Sequence, residues 1–268
     1  MTDPLHLPVA GTPFGASPSF ADLVRRERPE AFPAGMQQPA ATGLAIPHGT
    51  TVLGMKFADG IVVAGDRRAT SGNLIADPKM RKVFAADQFS AIAIAGAAGQ
   101  AVEIVKLFQL ELEHYEKITG DRLSLEGKAN RLAQMIRTNF PMALQGLVVV
   151  PLFGGFDERR AEGRIFYYDA TGGRWEEDDF QTTGSGGQPA KNSLKKRWTP
   201  GLSRQDAVRV AVEALIDAAE DDSATGGPDA VRRIWPVVMT VTSGGAEDVA
   251  ETDVAAAVEA VLSARGAR

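Results

Sequence analysis

His48-Gly49-Thr50-Thr51-Val52-Leu53-Gly54-Met55-Lys56-Phe57-Ala58-Asp59-Gly60-Ile61-Val62-Val63-Ala64-Gly65-Asp66 is the stretch on which the reading of the fold turns. Thr51 to Phe57 reads as a β-strand. Ala58-Asp59-Gly60 supplies turn chemistry, and Gly60 to Asp66 reads as a second strand, so the pair predicts a hairpin. A threonine pair stands where this hairpin begins, and an aspartate stands where it ends.

Upstream of the hairpin the composition changes. Residues 1–49 hold eight of the 15 prolines. Proline fixes φ and removes a backbone donor, so this leader supplies neither regular strands nor long helices. Phe20 to Arg26 could form one or two helical turns. Two readings of the leader stand side by side: a tail, which composition alone favours, or a removable propeptide. Met1-Thr2-Asp3-Pro4 lacks the basic and apolar regions of a signal peptide.

Downstream the pattern is regular. Lys82-Val83-Phe84 and Phe89 to Ala95 predict a second hairpin. Ile92 and Ile94 form its large-residue face, and Ala91, Ala93 and Ala95 its small one. Val102, Val105, Phe108 and Leu112 recur at helical spacing within a helix from Ala97 to Ile118, which stops at Gly120. A second helix starts near Ser124 and turns Leu125, Leu132, Met135 and Ile136 inward. Strands are expected at Leu147–Phe153, Arg164–Tyr168 and Trp175–Thr183. Ser203-x-x-Asp206 resembles a capping box opening a long helix with Val208, Val212, Leu215 and Ile216 on its apolar face. A late strand, Val237–Val241, and a final helix, Val254–Ala264, close the chain. Hairpin connections predict antiparallel sheets, and the long helices predict an α+β arrangement in which helical layers cover stacked sheets.

Composition narrows the chemistry. The 268 residues are 44% hydrophobic and 24% charged, ordinary values for a globular chain with a core of normal size. A net charge of -5 argues against nucleic acid as the main ligand, which requires a concentrated basic surface. The local run Lys195-Lys196-Arg197 reads as a solvated helix end. There are no cysteines, which removes disulfides, thiolate metal sites and a cysteine nucleophile. Only His6, His48 and His114 occur, too few and too scattered for a histidine metal site, and His114 reads as a surface or interface residue of a helix. A hydrolase built from this chain needs a base other than histidine. The longest apolar run, Leu147 to Phe153, is far short of the ~20 residues of a membrane span.

Thr50 can supply that base itself. A hydroxyl is a weak nucleophile without a neighbouring proton acceptor. A threonine at a free N-terminus carries an α-amine of pKa about 7.7–8.0 on the same residue, linked to the hydroxyl through one water. The same hydroxyl lies next to the carbonyl of Gly49. Attack there gives an ester that water hydrolyses to free the amine, and a glycine at 49 eases the backbone shape this requires. A charged pair, Asp66 and Lys82, could lower the pKa of both hydroxyl and amine, or could be two unrelated strand-end charges. Gly96, in Ile94-Ala95-Gly96-Ala97, could offer its N–H to an oxyanion, or could serve packing at a strand-to-helix junction. Thr183-Gly184-Ser185-Gly186-Gly187 reads as a helix-entry loop with Ser185 near an N-cap and matches no phosphate-binding motif. Asp221-Asp222-Ser223-Ala224-Thr225-Gly226-Gly227-Pro228-Asp229 reads as a solvated turn, except that two acids at a helix C-terminus oppose the helix dipole.

In order, Gly49-Thr50-Thr51, Gly65-Asp66-Arg67-Arg68-Ala69-Thr70, Arg81-Lys82-Val83, Ala95-Gly96, Glu111-Leu112-Glu113-His114-Tyr115, Gly184-Ser185-Gly186 and Asp222 to Asp229 resemble the β-type subunits of the 20S proteasome, most closely those of actinobacteria. The motifs span nearly all of residues 50–268. The resemblance implies an N-terminal nucleophile hydrolase fold, a four-layer αββα sandwich of two antiparallel sheets. It implies a threonine endopeptidase in which residues 1–49 are a propeptide removed between Gly49 and Thr50, and 50–268 the catalytic domain. Thr50 attacks, Asp66 and Lys82 tune it, Gly96 binds the oxyanion, and Ser185 and Asp222 position the freed amine. Many family members carry serine where this chain has Thr225. Ala69, Met80, Ile94 and Ala98 would line an apolar substrate pocket, and Thr70 would pair with the substrate backbone as an added strand.

By the same resemblance the partners are proteasome α-subunits, other β-subunits in seven-membered rings stacked as α7β7β7α7, an ATPase ring, and substrates tagged with a ubiquitin-like protein. The place is the cytoplasm, with no cofactor, metal, nucleic acid or membrane involved. Two rival readings exist. A two-ring bacterial threonine protease also begins Thr-Thr, but its subunits are shorter and lack most of the leader, and the length after Thr50 and the 222–229 segment argue against it. A non-catalytic ring subunit tends to lose the threonine or the lysine, and Thr50, Asp66 and Lys82 are all present here.

Overall fold

The hairpin forms as read, and its alternation sets the layers. In the computed structural model, which describes residues 49–266, β1 (Thr51–Phe57) pairs with β2 (Gly60–Gly65) from Val52↔Gly65 to Phe57↔Gly60. Leu53, Met55, Val62 and Ala64 face a helical layer, whereas Val52, Ile61 and Val63 face a second sheet. Successive side chains point to opposite faces of a strand, so a hairpin buried on both faces is apolar throughout. Each such Leu, Met or Val contributes roughly 1.5–3 kcal/mol by leaving water.

The remaining strands are β3 (Ala69–Ser71), β4 (Leu74–Asp77), β5 (Val83–Asp87), β6 (Ser90–Gly96), β7 (Val149–Asp157), β8 (Glu162–Tyr168), β9 (Arg174–Glu177), β10 (Phe180–Gly184), β11 (Val237–Thr242) and β12 (Gly245–Asp248). The helices are α1 (Ala98–Thr119), α2 (Leu125–Ala143), α3 (Gly187–Arg197), α4 (Arg204–Asp221) and α5 (Glu251–Gly266). One five-stranded sheet runs β10-β1-β2-β11-β12 and the other β5-β6-β7-β8-β9, with every pairing antiparallel.

Three apolar clusters define four layers. Helices α3, α4 and α5 cover the first sheet through Leu194, Val208, Val212, Leu215 and Val258. Helices α1 and α2 cover the second through Val105, Phe108, Leu112, Leu132 and Ile136. Between the sheets lie Val52, Ile61, Val63, Ala91, Ala93, Leu152 and Ile165. The two faces of β6 divide as expected: Ile92 and Ile94 reach the helices, while Ala91 and Ala93 let the two sheets approach. This is the αββα sandwich of an N-terminal nucleophile hydrolase. Among the described residues, no helix is long and apolar enough to cross a membrane.

Two of the predicted helix starts carry side-chain caps. Ser124 accepts from the Gly127 N–H at 3.1 Å. Ser203 accepts from the Asp206 N–H at 3.1 Å, and its own hydroxyl donates to the Asp206 carboxylate at 2.8 Å, closing the box through the side chain. Gly120 caps α1 in the left-handed region, and His114 is exposed.

Two expectations need correction, and two short features are added to them. Trp175–Thr183 is not one strand. The chain bends at Asp178-Asp179, leaves β9 on the edge of one sheet and enters β10 on the edge of the other. Aspartate is a poor strand former, and only a break there lets the segment change sheets. The short hairpin β3–β4 and strand β12 lack a clear apolar alternation and were not foreseen. The basic run at the end of α3 is solvated only at Lys195 and Lys196; Arg197 pairs with Glu213 of α4 at 2.7 Å. The possible helical turns at Phe20–Arg26 lie outside the described residues.

Arg164 of β8 ties the second sheet to its helices. Its side chain is only 3% exposed and meets Asp157 at 2.9 Å, Glu176 at 2.5 Å and Glu126 of α2 at 2.7 Å. Its guanidinium holds the Glu176 carboxyl below the usual range. At Asp157 and Glu126 burial pushes upward, but hydrogen bonds from Arg164, joined at Glu126 by Arg174, outweigh it. Carboxyls held low stabilise the fold above their ordinary values and lose that contribution as pH falls through the lowered ones. Arg164→Met is therefore expected to lower stability by about 2–4 kcal/mol, discounted for the partly exposed glutamates. Denaturant unfolding should show the full deficit above about pH 4.5 and a shrinking one below about pH 4.

Candidate active site

Antiparallel pairing brings the chemistry-bearing residues to one end of the sandwich. Because Val52 opposes Gly65 and Thr51 opposes Gly184, the start of β1, the end of β2 and the end of β10 coincide. Thr50, Asp66 and Ser185 follow directly from those ends. In the second sheet Val83 opposes Ala93, so Lys82 at the start of β5 stands near Gly96 at the end of β6. The C-terminus of α4 delivers Asp222 to the same end.

Asp66 and Lys82 form a fully buried pair. Lys82 Nζ donates to Asp66 Oδ1 at 2.7 Å, with side chains 1% and 0% exposed. Its remaining protons go to the Arg68 carbonyl at 2.5 Å and the Gly49 carbonyl at 3.2 Å, which occupies all three donors of the ammonium. Asp66 is equally saturated. Oδ1 also accepts from the Thr51 N–H at 2.8 Å, and Oδ2 accepts from the Arg68 and Gly226 N–H groups, each at 2.8 Å. Burial pulls the Lys82 ammonium below its ordinary value, against the raising effect of Asp66 and, more weakly, of Asp222. The pair is no accidental meeting of strand-end charges: it has a defined partner at every position.

Thr50 is 5% exposed, and its hydroxyl donates to the Gly49 carbonyl oxygen at 2.6 Å. That oxygen is the one Lys82 also reaches. On the far side, the Thr50 N–H donates to Ser185 Oγ at 3.4 Å, and Ser185 donates to Asp222 Oδ2 at 2.6 Å. Asp222 further accepts from the Thr225 hydroxyl at 2.6 Å and the Ala224 N–H at 3.1 Å. Burial raises the Asp222 carboxyl, but these hydrogen bonds and the Lys82 charge outweigh it and hold it below the usual range. Asp222 is the C-cap residue of α4, so hydrogen bonds to its carboxylate accompany the unfavourable dipole noted in the sequence. Ser185 is not the cap of α3; Gly186 is, without a side-chain bond, and the Ser185 hydroxyl serves the threonine instead.

A small cleft opens beside Thr50. Gly49, Thr50, Lys82 and Gly96 line it together with Ala69, Met80, Ile94 and Ala98, and Ala101 completes the wall. Its lining is apolar apart from the lysine and threonine. Gly96 has φ +112°, and a Cβ there would stand 2.0 Å from the Val148 carbonyl oxygen, so only glycine fits this rim. Thr70 does not line the cleft; it lies on β3, where, among the described residues, Ala69 and Thr70 meet a strand on one side only, that of β4. Among the described residues, no group of three or more His, Asp or Glu could hold a metal ion.

Three participants escaped the sequence. The Arg68 carbonyl and the Gly226 N–H are backbone groups, and the side chains at those positions say nothing of their use. Ala101 is one alanine among many. Thr225, a departure from the serine common in the family, has its hydroxyl against Asp222.

The chain is similar to known proteins over most of its length. A sequence model described as "Proteasome subunit" matches residues 46–234. A protein of Acidimicrobium ferrooxidans named "Proteasome subunit beta" is 51% identical over 267 residues, covering 98% of this chain and 97% of its own. One of the same name from Streptomyces griseus is 52% identical over 261 residues, covering 97% of this chain and 92% of its own. With a family model matched across most of its length and near-full-length relatives at half identity, the chain belongs to the proteasome subunit family.

Proposed function

We propose that this chain is the precursor of a β-type proteasome subunit, a threonine endopeptidase that removes residues 1–49 by its own chemistry and then hydrolyses peptides with Thr50. The observation that carries the reading is the Gly49 carbonyl, approached by the Thr50 hydroxyl at 2.6 Å and by the Lys82 ammonium at 3.2 Å. Nucleophile, scissile bond and charge stabiliser already share one buried place.

Processing follows from that arrangement. The Thr50 oxygen adds to the Gly49 carbonyl carbon and gives up its proton. Lys82 stabilises the negative charge on the Gly49 oxygen. The C–N bond breaks, the Thr50 nitrogen takes a proton, and an ester remains. Water hydrolyses the ester, leaving a carboxylate on Gly49, a free hydroxyl and a free amine on Thr50.

In the mature enzyme that amine accepts the hydroxyl proton through one water. Ser185, held by Asp222, orients the amine. Lys82 and Asp66 favour the deprotonated oxygen. The substrate carbonyl is attacked, with Gly96 N–H offered to its oxyanion, and the acyl ester is hydrolysed in turn. The apolar wall of Ala69, Met80, Ile94, Ala98 and Ala101 suits an apolar residue on the acyl side of the cleaved bond. The edge of β3 at Ala69 and Thr70, which no described strand covers, suits an extended substrate backbone. The relatives' names and the family support assembly with other proteasome subunits. We extend this to seven-membered rings stacked α7β7β7α7, an ATPase ring and substrates bearing a ubiquitin-like tag, in the cytoplasm. The match to the Acidimicrobium protein covers 98% of this chain, so it takes in most of the leader as well.

Thr50→Ala should leave the leader attached and reduce peptide hydrolysis to background; gel mobility and a fluorogenic peptide read both, and hydrolysis by this variant would remove Thr50 from the mechanism. Lys82→Ala should assemble yet lose about 10²–10³-fold in kcat. Near-normal turnover would leave the buried pair with a structural role alone.

A further inference from the structure

Thr51, the residue behind the nucleophile, is completely buried, and so is Thr225. Their hydroxyl oxygens lie 2.5 Å apart. Counting protons gives the bond a direction. Thr225 has one hydroxyl proton, and Asp222 Oδ2, 2.6 Å away, receives it. The Asp222 carboxyl is held low by its hydrogen bonds, so the proton in that contact belongs to the threonine. Thr51 must therefore donate to Thr225. Ser185 likewise gives its one proton to Asp222 Oδ2 and is left to accept from Thr50 N. Two directed chains converge on one carboxylate oxygen: Thr50 N–H to Ser185 to Asp222, and Thr51 to Thr225 to Asp222.

The second chain is enclosed. A Cβ on Gly186 would stand 2.3 Å from Thr51 Oγ1 and 2.6 Å from Thr225 Oγ1, so the backbone of Gly186 closes over the pair. Thr51 is also anchored through its main chain: its N–H donates to Asp66 at 2.8 Å, and its carbonyl accepts from the Asp66 N–H at 3.1 Å. Thr51 is thus tied to Asp66 directly through its backbone and to Asp222 through the Thr225 hydroxyl.

We propose that the Thr51 hydroxyl is a positioning group for the mature enzyme, locking the residue behind the new N-terminus to Asp222 through Thr225. The inference rests on the reading of Thr50 as an N-terminal nucleophile. Before cleavage Thr50 is held from both sides by peptide bonds. After cleavage only the bond to Thr51 remains, and the register of the free amine against Ser185 depends on how firmly Thr51 is held. The Thr51 hydroxyl therefore matters more to turnover than to processing.

The test compares Thr51→Val, Thr51→Ser, Thr225→Val and the double valine variant in the peptide-hydrolysing assembly of the full chain. Valine keeps the shape of threonine and removes the proton. Thr51→Val should process its leader and keep its melting temperature within a few degrees, while kcat falls about five- to tenfold with KM little changed. Thr51→Ser should restore kcat. The double variant should be no slower than Thr225→Val, because Thr51 acts through Thr225. Wild-type kcat in Thr51→Val, failure of serine to rescue, or additive losses in the double variant would each overturn the proposal. A wild-type protein that neither processes nor hydrolyses would instead overturn the reading of Thr50 beneath it.

Discussion

The Lys82–Asp66 ion pair is the constraint around which this end of the molecule is built. Taking two charges out of water costs several kcal/mol per ion, and their mutual attraction offsets this only when every remaining donor and acceptor is satisfied. Here each is. The three protons of Lys82 meet Asp66, Arg68 and Gly49, and the two oxygens of Asp66 accept from Lys82, Thr51, Arg68 and Gly226. An apolar pair of similar volume would hold the two sheets together at less risk. Its third proton reaches the carbonyl of the bond before Thr50, the contact on which the proposed cleavage rests.

Satisfying that pair recruits backbone from four places, and this dictates much of the local architecture. Thr51 must begin β1 beside the end of β2, which the hairpin register ensures. The chain after Asp66 must turn so that Arg68 presents both its N–H and its carbonyl. The loop after α4 must reach across to deliver the Gly226 N–H. That loop carries Asp222 and Thr225 with it, so the carboxylate that orients Thr50 through Ser185 comes from the same segment that helps hold Asp66. The Arg164 cluster binds the second sheet to α2, and so supports the sheet whose β5 and β6 ends bear Lys82 and Gly96.

The layers were legible in the sequence because their signals are periodic. The apolar runs of β1 and β2, the isoleucine-alanine alternation of β6 and the helical stripe from Val102 to Leu112 are each repeated several times over. Thr50 stood out because the proline-rich leader meets the first hairpin there; Asp66 and Lys82 read equally well as unrelated strand-end charges, and only the family resemblance gave them a role. What failed was short or carried by the main chain. The bend at Asp178-Asp179 that moves the chain between sheets occupies two residues. The hairpin β3–β4 buries too little to show a pattern. The Arg68 carbonyl and Gly226 N–H belong to no side chain, and the Thr51–Thr225 contact joins residues 174 positions apart. No spacing rule reaches that far, since only the tertiary fold closes such a loop.

The central claim is that one residue supplies both nucleophile and base once the bond at Gly49 is cut. N-terminal sequencing of purified particles that actively hydrolyse peptides tests it most directly. The account requires Thr-Thr-Val as the first three residues. Catalytically competent particles that read Met-Thr-Asp or Thr-Asp-Pro would contradict it.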